Sequence, residues 1–202
     1  MLNFIKLGIL LVNTLGGDFL KLTISELSQL NELILSCTNT ITCMSLFKNQ
    51  VQDTELKSLL EAQFPLHVED YNKKVEFVKN LETATGKLEV QNMNTSISNK
   101  DTNISKPAVP VTINTNVTKM NDREIATSYL LTLKRAGKEY AVASMEATNP
   151  KLRQFLKDAY TMGCNHAYEI WEWMSKHGFY PCNVATDEQI NEIASIFNII
   201  EL

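Results

Sequence analysis

No two of the four cysteines, Cys37, Cys43, Cys164 and Cys182, stand at C-x-x-C spacing, so a structural zinc site would have to be gathered from scattered ligands. Basic residues form no cluster: the nearest, Lys134 and Arg135, falls inside a helical pattern, and the net charge is -4. That balance excludes nucleic acid as a partner, because such binding rests on Lys and Arg gathered at phosphates. Neither G-x-G-x-x-G nor P-loop spacing occurs, so no nucleotide site is expected. The apolar run Leu7 to Val12 is far short of the ~20 residues a membrane span needs. Lys6 ahead of it gives a thin likeness to an export signal, but only Thr14-Leu15-Gly16 follows, with no A-x-A cleavage site. Residues 1–21 are therefore expected to be an arm packed on the rest.

What is present is ordinary globular composition, 44% apolar and 21% charged over 202 residues, enough for one well-buried core. Thr23-Ile24-Ser25-Glu26 supplies a capping box, with Leu22 and Leu27 placed for a hydrophobic staple. Leu27, Leu30, Ile34, Cys37, Ile41 and Met44 then form one stripe. A second helix is predicted from about Thr54 to Leu81, with Leu56, Leu60, Phe64, His67, Tyr71 and Val78 inward and a local widening at Pro65. Residues 22–82 thus make a first helical hairpin. Residues 83–120 turn to Asn, Thr, Ser and Lys with no aromatic residue, and read as a mobile polar crossover long enough to span a ~40 Å helix. Val109 to Val117 alternates well enough for a short strand if something pairs with it.

The second hairpin, 121–181, opens at Asn121 or Asp122 with Glu124 behind. Its third helix turns Ala126, Tyr129, Leu133, Ala136, Tyr140, Ala143 and Ala147 inward. Asn149 caps a fourth helix with Pro150 at its first position, and Leu152, Leu156, Ala159, Gly163, His166, Ile170 and Trp173 face in before Gly178 stops it. A short C-terminal helix in 182–202 starts at the Thr186 and Gln189 capping box; its Ile190, Ile193, Phe197 and Ile200 side is expected to dock on the bundle or meet a second subunit. Two hairpins joined by a long crossover give an all-α chain: a ferritin-like up-down four-helix bundle, one domain, with a short last helix.

The run from Asp122 to Pro181, with D-R-E-I-A, L-L-T-L-K, E-A-T-N-P-K-L-R, the inward His166 and the closing H-G-F-Y-P, resembles the Coat F domain of bacterial endospore coat proteins. The first hairpin, with T-E-L-K-S-L-L and P-L-H-V-E-D-Y-N-K-K-V-E-F, is similar to the N-terminal half of many members. The resemblance implies a ferritin-like bundle made in the mother-cell cytoplasm and laid down in the spore coat, where it meets other coat proteins and itself as material rather than as a catalyst.

A dinuclear metal centre in this plan takes a Glu from each of two helices and Glu-x-x-His from the others. Phe64 stands three before His67 and Gly163 three before His166, so the bridging acids are missing where the motif wants them. No catalytic residue, cofactor or metal is assigned. His67, Asp70, Tyr71, Tyr129, Tyr140, His166 and Glu169 are expected instead as polar members of the core, the imidazoles bonded to the acids or phenols. The competing expectation is an iron- or manganese-binding bundle with redox activity. Cys37 reads as a small buried hydrophobe, and Cys182 as a loop thiol open to crosslinking.

Overall fold

In a computed structural model describing residues 21–93, 95 and 106–201, the described residues form five helices. They are α1 (Ile24–Gln50), α2 (Thr54–Lys79), α3 (Asp122–Glu146), α4 (Pro150–Lys176) and α5 (Asp187–Ala194). No strand occurs among the described residues. Of the expected arm, residues 1–21, all but the last lie outside the described residues.

Capping chemistry sets the starts. Thr23 and Asn121 each accept from the backbone at Glu26 and Glu124, whose carboxylates return the bond. Asp53 caps α2, and Asn149 caps α4 ahead of Pro150. Past α4, Gly178 takes φ 69°, the left-handed conformation an L side chain resists. Pro65 lies on the exposed side of a continuous α2, where water can take the carbonyl it frees.

Helix α1 packs on α2 and α3, and α4 packs on α3 and α2, closing a ring of four neighbours. Direction follows from the ends that meet. The start of α1 reaches the α3–α4 turn, and Asp53 ahead of α2 meets Trp173 near the end of α4, so each neighbouring pair is antiparallel. Hence α2 and α3 run the same way, and the crossover must travel the full length of the bundle.

The described parts of the crossover are not the free polar strip its composition suggests. Leu81, Ala84 and Leu88 are buried against Phe155 and neighbouring apolar residues, so three small or branched side chains suffice to anchor its first turn. Gly86, at φ 64°, passes so close to Lys151 that an added Cβ would sit 2.9 Å from its carbonyl oxygen. Further on, the Gln91 carbonyl accepts from Asn165, and the backbone N–H groups of Lys106 and Val109 donate to Ser175 and Gly178. The stretch 109–117 makes no strand. The Val109 N–H donates to the Gly178 carbonyl just past α4, and Val111 and Ile113 lie exposed.

Helix α5 has its capping box but buries no residue, so of the two expectations for its apolar side, docking on the bundle does not occur and contact with a second subunit is left open. It ends at Ala194, and Ile190, Ile193, Phe197 and Ile200 all face solvent. Two turns present too little apolar area to fold back over the bundle end against the entropy of the segment that joins them.

Glu26 fixes the lower end of the ring. It is 2% exposed, and Oε2 accepts from the Thr23 backbone at 2.8 Å while Oε1 accepts the backbone N–H groups of Thr148 and Asn149 at 2.8 and 3.0 Å. Burial pushes its carboxyl upward, but those backbone donors outweigh burial and hold the pKa below its ordinary value. Glu26→Ala is expected to cost on the order of 2 kcal/mol in urea unfolding, because three backbone donors lose an ionised acceptor together. A loss under about 0.5 kcal/mol would contradict that role.

Candidate functional site

Two apolar clusters fill the interior, one around Leu30, Phe77 and Phe155 and the other around Met44, Leu60 and Trp173. Between them lies a polar layer. Helix α2 supplies most of it, because its inner face follows an unbroken three-four alternation: Leu56, Leu60, Gln63, His67, Asp70, Lys74, Phe77. Tyr71 and Phe64, expected on that face, are half-buried one position further round, and Val78 is exposed. Helix α1 is rotated likewise, burying Leu33 and Thr40 where Ile34 and Ile41 were expected, and leaving Leu27 too exposed for a staple.

The upper part of the layer is a relay of neutral groups that starts from the Glu169 carboxylate. Gln63 donates from Nε2 to Glu169 Oε2 at 2.7 Å, which leaves its Oε1 to accept from the Tyr129 hydroxyl at 2.8 Å. The phenol has spent its hydrogen, so its oxygen receives the bond from His67 Nε2, also 2.8 Å away. His67 therefore carries its proton on Nε2. His166 Nδ1, 3.3 Å from that nitrogen, is left as the unprotonated ring atom, facing the same N–H. A half-buried carboxylate thus fixes the tautomers of two buried rings through one amide and one phenol.

Burial drives the His67 pKa down to about 4, with Asp70 opposing and Lys74 assisting. Burial, with the neighbouring His67 second, takes His166 to about 3. Both imidazoles are uncharged at neutral pH. Burial, with the Glu169 charge behind it, raises Tyr129 well above an ordinary phenol, so it stays protonated and keeps donating.

One turn along α2 the layer changes character. Lys74, 0% exposed, places its ammonium 2.5 Å from Asp70 Oδ2 and 2.6 Å from the Tyr140 hydroxyl, which itself donates to Asp70 Oδ2 at 2.7 Å. The ammonium also faces the Tyr140 and Phe155 rings at 5.1 and 6.0 Å. Cys37 turns its thiol toward Asp70 Oδ2 and the His67 carbonyl, each 3.4 Å away. Burial pushes that thiol up to about 12, so it is a protonated donor and not a nucleophile. The other three cysteines lie elsewhere, Cys164 exposed and Cys43 and Cys182 partly so.

These residues do not fit a dinuclear metal centre. Facing the histidines, α1 offers Cys37 and Thr40 and α3 offers Tyr129 and Leu133, with no inward carboxylate on either helix at that level. Asp70 is already matched by a lysine cation, which would repel a second positive charge. No group of three or more His, Cys, Asp or Glu side chains able to hold a metal converges among the described residues.

Of the seven polar residues expected in the core, the structure places His67, Asp70, Tyr129, Tyr140, His166 and Glu169 in or at the edge of this layer and leaves Tyr71 half-buried beside it. Sequence reasoning missed Gln63 and Lys74. Continuing the three-four alternation past His67 in both directions, whatever the polarity met, would have found both.

Residues 121–183 match the Coat F domain family, a span covering α3, α4 and the turn beyond them. Among curated proteins the chain is similar to the spore coat protein F-like protein YhcQ of Bacillus subtilis (strain 168). The two are 23% identical over 178 residues, covering 85% of this chain and 78% of the relative. No solved structure matches it. Helices α3 and α4 carry the match to the Coat F domain, and over most of its length the chain is similar to a spore coat protein F-like protein.

Proposed function

We propose that this protein is a structural component of the bacterial endospore coat, a ferritin-like bundle without catalysis, made in the mother cell and assembled with other coat proteins. The observation that carries the reading is the Coat F match over 121–183, seconded by a relative of similar length described as a spore coat protein. The order of the helices supports the ferritin-like part, since two antiparallel hairpins joined by one long crossover are its arrangement. The chemistry of the core supports the non-catalytic part: its histidines are neutral and tied, its thiol is protonated, and its one buried cation is a lysine. The apolar side of α5 and of the segment after it, with Ile193 and Phe197 exposed, supports association with another protein or a second copy.

A fluorescent fusion expressed from its own promoter in a sporulating host tests the reading. Expected is a shell of signal around the forespore, retained on the released spore; signal confined to the spore core or to vegetative cells would contradict it. The competing reading, a metal-binding bundle, draws on one observation, the 3.3 Å approach of His67 Nε2 and His166 Nδ1. Elemental analysis of protein purified without chelator separates the two: stoichiometric iron or manganese favours the metal reading, and none favours the structural one.

A further inference from the structure

Asp70 is 1% exposed, and while Oδ2 takes bonds from Lys74, Tyr140 and Cys37, the other oxygen, Oδ1, has no donor among the protein groups around it. A buried carboxylate oxygen left bare costs free energy, so such atoms normally have a partner. Beside it the helices leave about 20 Å³ open to the centre of a water molecule, walled by Thr40, His67, Asp70, Thr132 and Gly163 among others. One water needs roughly 10–15 Å³ of such room and two or more polar contacts. Gly163 borders the same space: a Cβ added there would meet no atom within 4 Å.

We infer that this cavity is a binding site for a single water molecule, which donates to Asp70 Oδ1 and joins the Lys74 cluster to the His67 relay. Its second proton has an acceptor to go to. The hydroxyls of Thr40 and Thr132 spend their own hydrogens on the carbonyls of Ser36 and Ser128, both at 2.9 Å, and so turn lone pairs outward. Size and charge select the ligand. The room takes one small molecule, the free carboxylate oxygen wants a donor, and Lys74 already supplies the positive charge.

Gly163→Ala distinguishes a wet cavity from a dry one by the sign of its effect. In a dry cavity the methyl fills empty space and the helix gains by losing a glycine, so the melting temperature rises. In a wet one the methyl displaces the water and strips Asp70 Oδ1, and the melting temperature falls by about 2–6 °C. Crystal structures of both proteins complete the test. Expected is an ordered peak about 2.6–3.2 Å from Asp70 Oδ1 in the parent and none in the variant. An empty parent cavity, a peak at metal-ligand distance with anomalous signal, or a variant that melts higher than its parent would each overturn the inference.

Discussion

Acidification from pH 7.5 to 4.5 is expected to remove on the order of 5 kcal/mol of stability through two groups alone. His67 and His166 titrate at about 4 and about 3 in the folded protein, against 6.5 in an unfolded chain. Between those values the unfolded chain binds more protons than the native one, so stability falls as pH falls, by about 1.4 kcal/mol per pH unit for each ring. The loss begins near pH 6.5 and levels off once the native rings themselves protonate. Glu26 acts in a different window, because its depressed pKa gives stability that is lost only below the ordinary carboxyl value of 4.5. Urea unfolding across pH for the parent and for His166→Leu separates the contributions. The variant should unfold at neutral pH within about 1 kcal/mol of the parent, since the recorded bond of His166 is a long one to His67, and it should lose about half of the slope between pH 6.5 and 4.5. An unchanged slope in that window would mean the rings are not the titrating groups.

Lys74→Met is expected to cost about 3–5 kcal/mol, because it leaves Asp70 charged and buried with only Tyr140 and Cys37 to face it. The value of the pair is not the value of that deletion. Lys74→Met combined with Asp70→Leu removes both charges and places apolar groups among Tyr140, Phe155 and Met162, so the double variant should recover most of the loss, a coupling energy of about 2–4 kcal/mol between the two positions. Lys74→Met alone losing less than about 1 kcal/mol would show that the ammonium is not the counter-charge of Asp70. A double variant no more stable than the single one would show that the layer is valuable as a polar unit.

Helix starts were the most legible feature of this chain because caps are local chemistry: Thr23, Asp53, Asn121, Asn149 and Thr186 lie at the break of each pattern, and the helices begin just after them. The inner face of α4 was equally legible, since its apolar and small residues coincide with the three-four alternation. On α2 the two conflict. Phe64, Tyr71 and Val78 draw the eye to the neighbouring stripe, while packing against α1 and α4 keeps Gln63, Asp70 and Lys74 inside. A buried lysine is against every residue preference, and only its partners, Asp70 four residues back and Tyr140 sixty-six residues on, make the position tenable. The anchoring of the chain after α2 is hidden for a related reason: composition averages over a long stretch, whereas Leu81, Ala84 and Leu88 act singly at one end.

The central claim is that the core between His67 and His166 is held by protons and a lysine rather than by a metal. Diffraction from crystals soaked in manganese and ferrous salts, recorded across both absorption edges, tests it most directly. The account predicts no anomalous peak between the two imidazoles, with Tyr129 remaining at hydrogen-bond distance from His67. A peak about 2 Å from both ring nitrogens, with the phenol displaced or ligated, would contradict it.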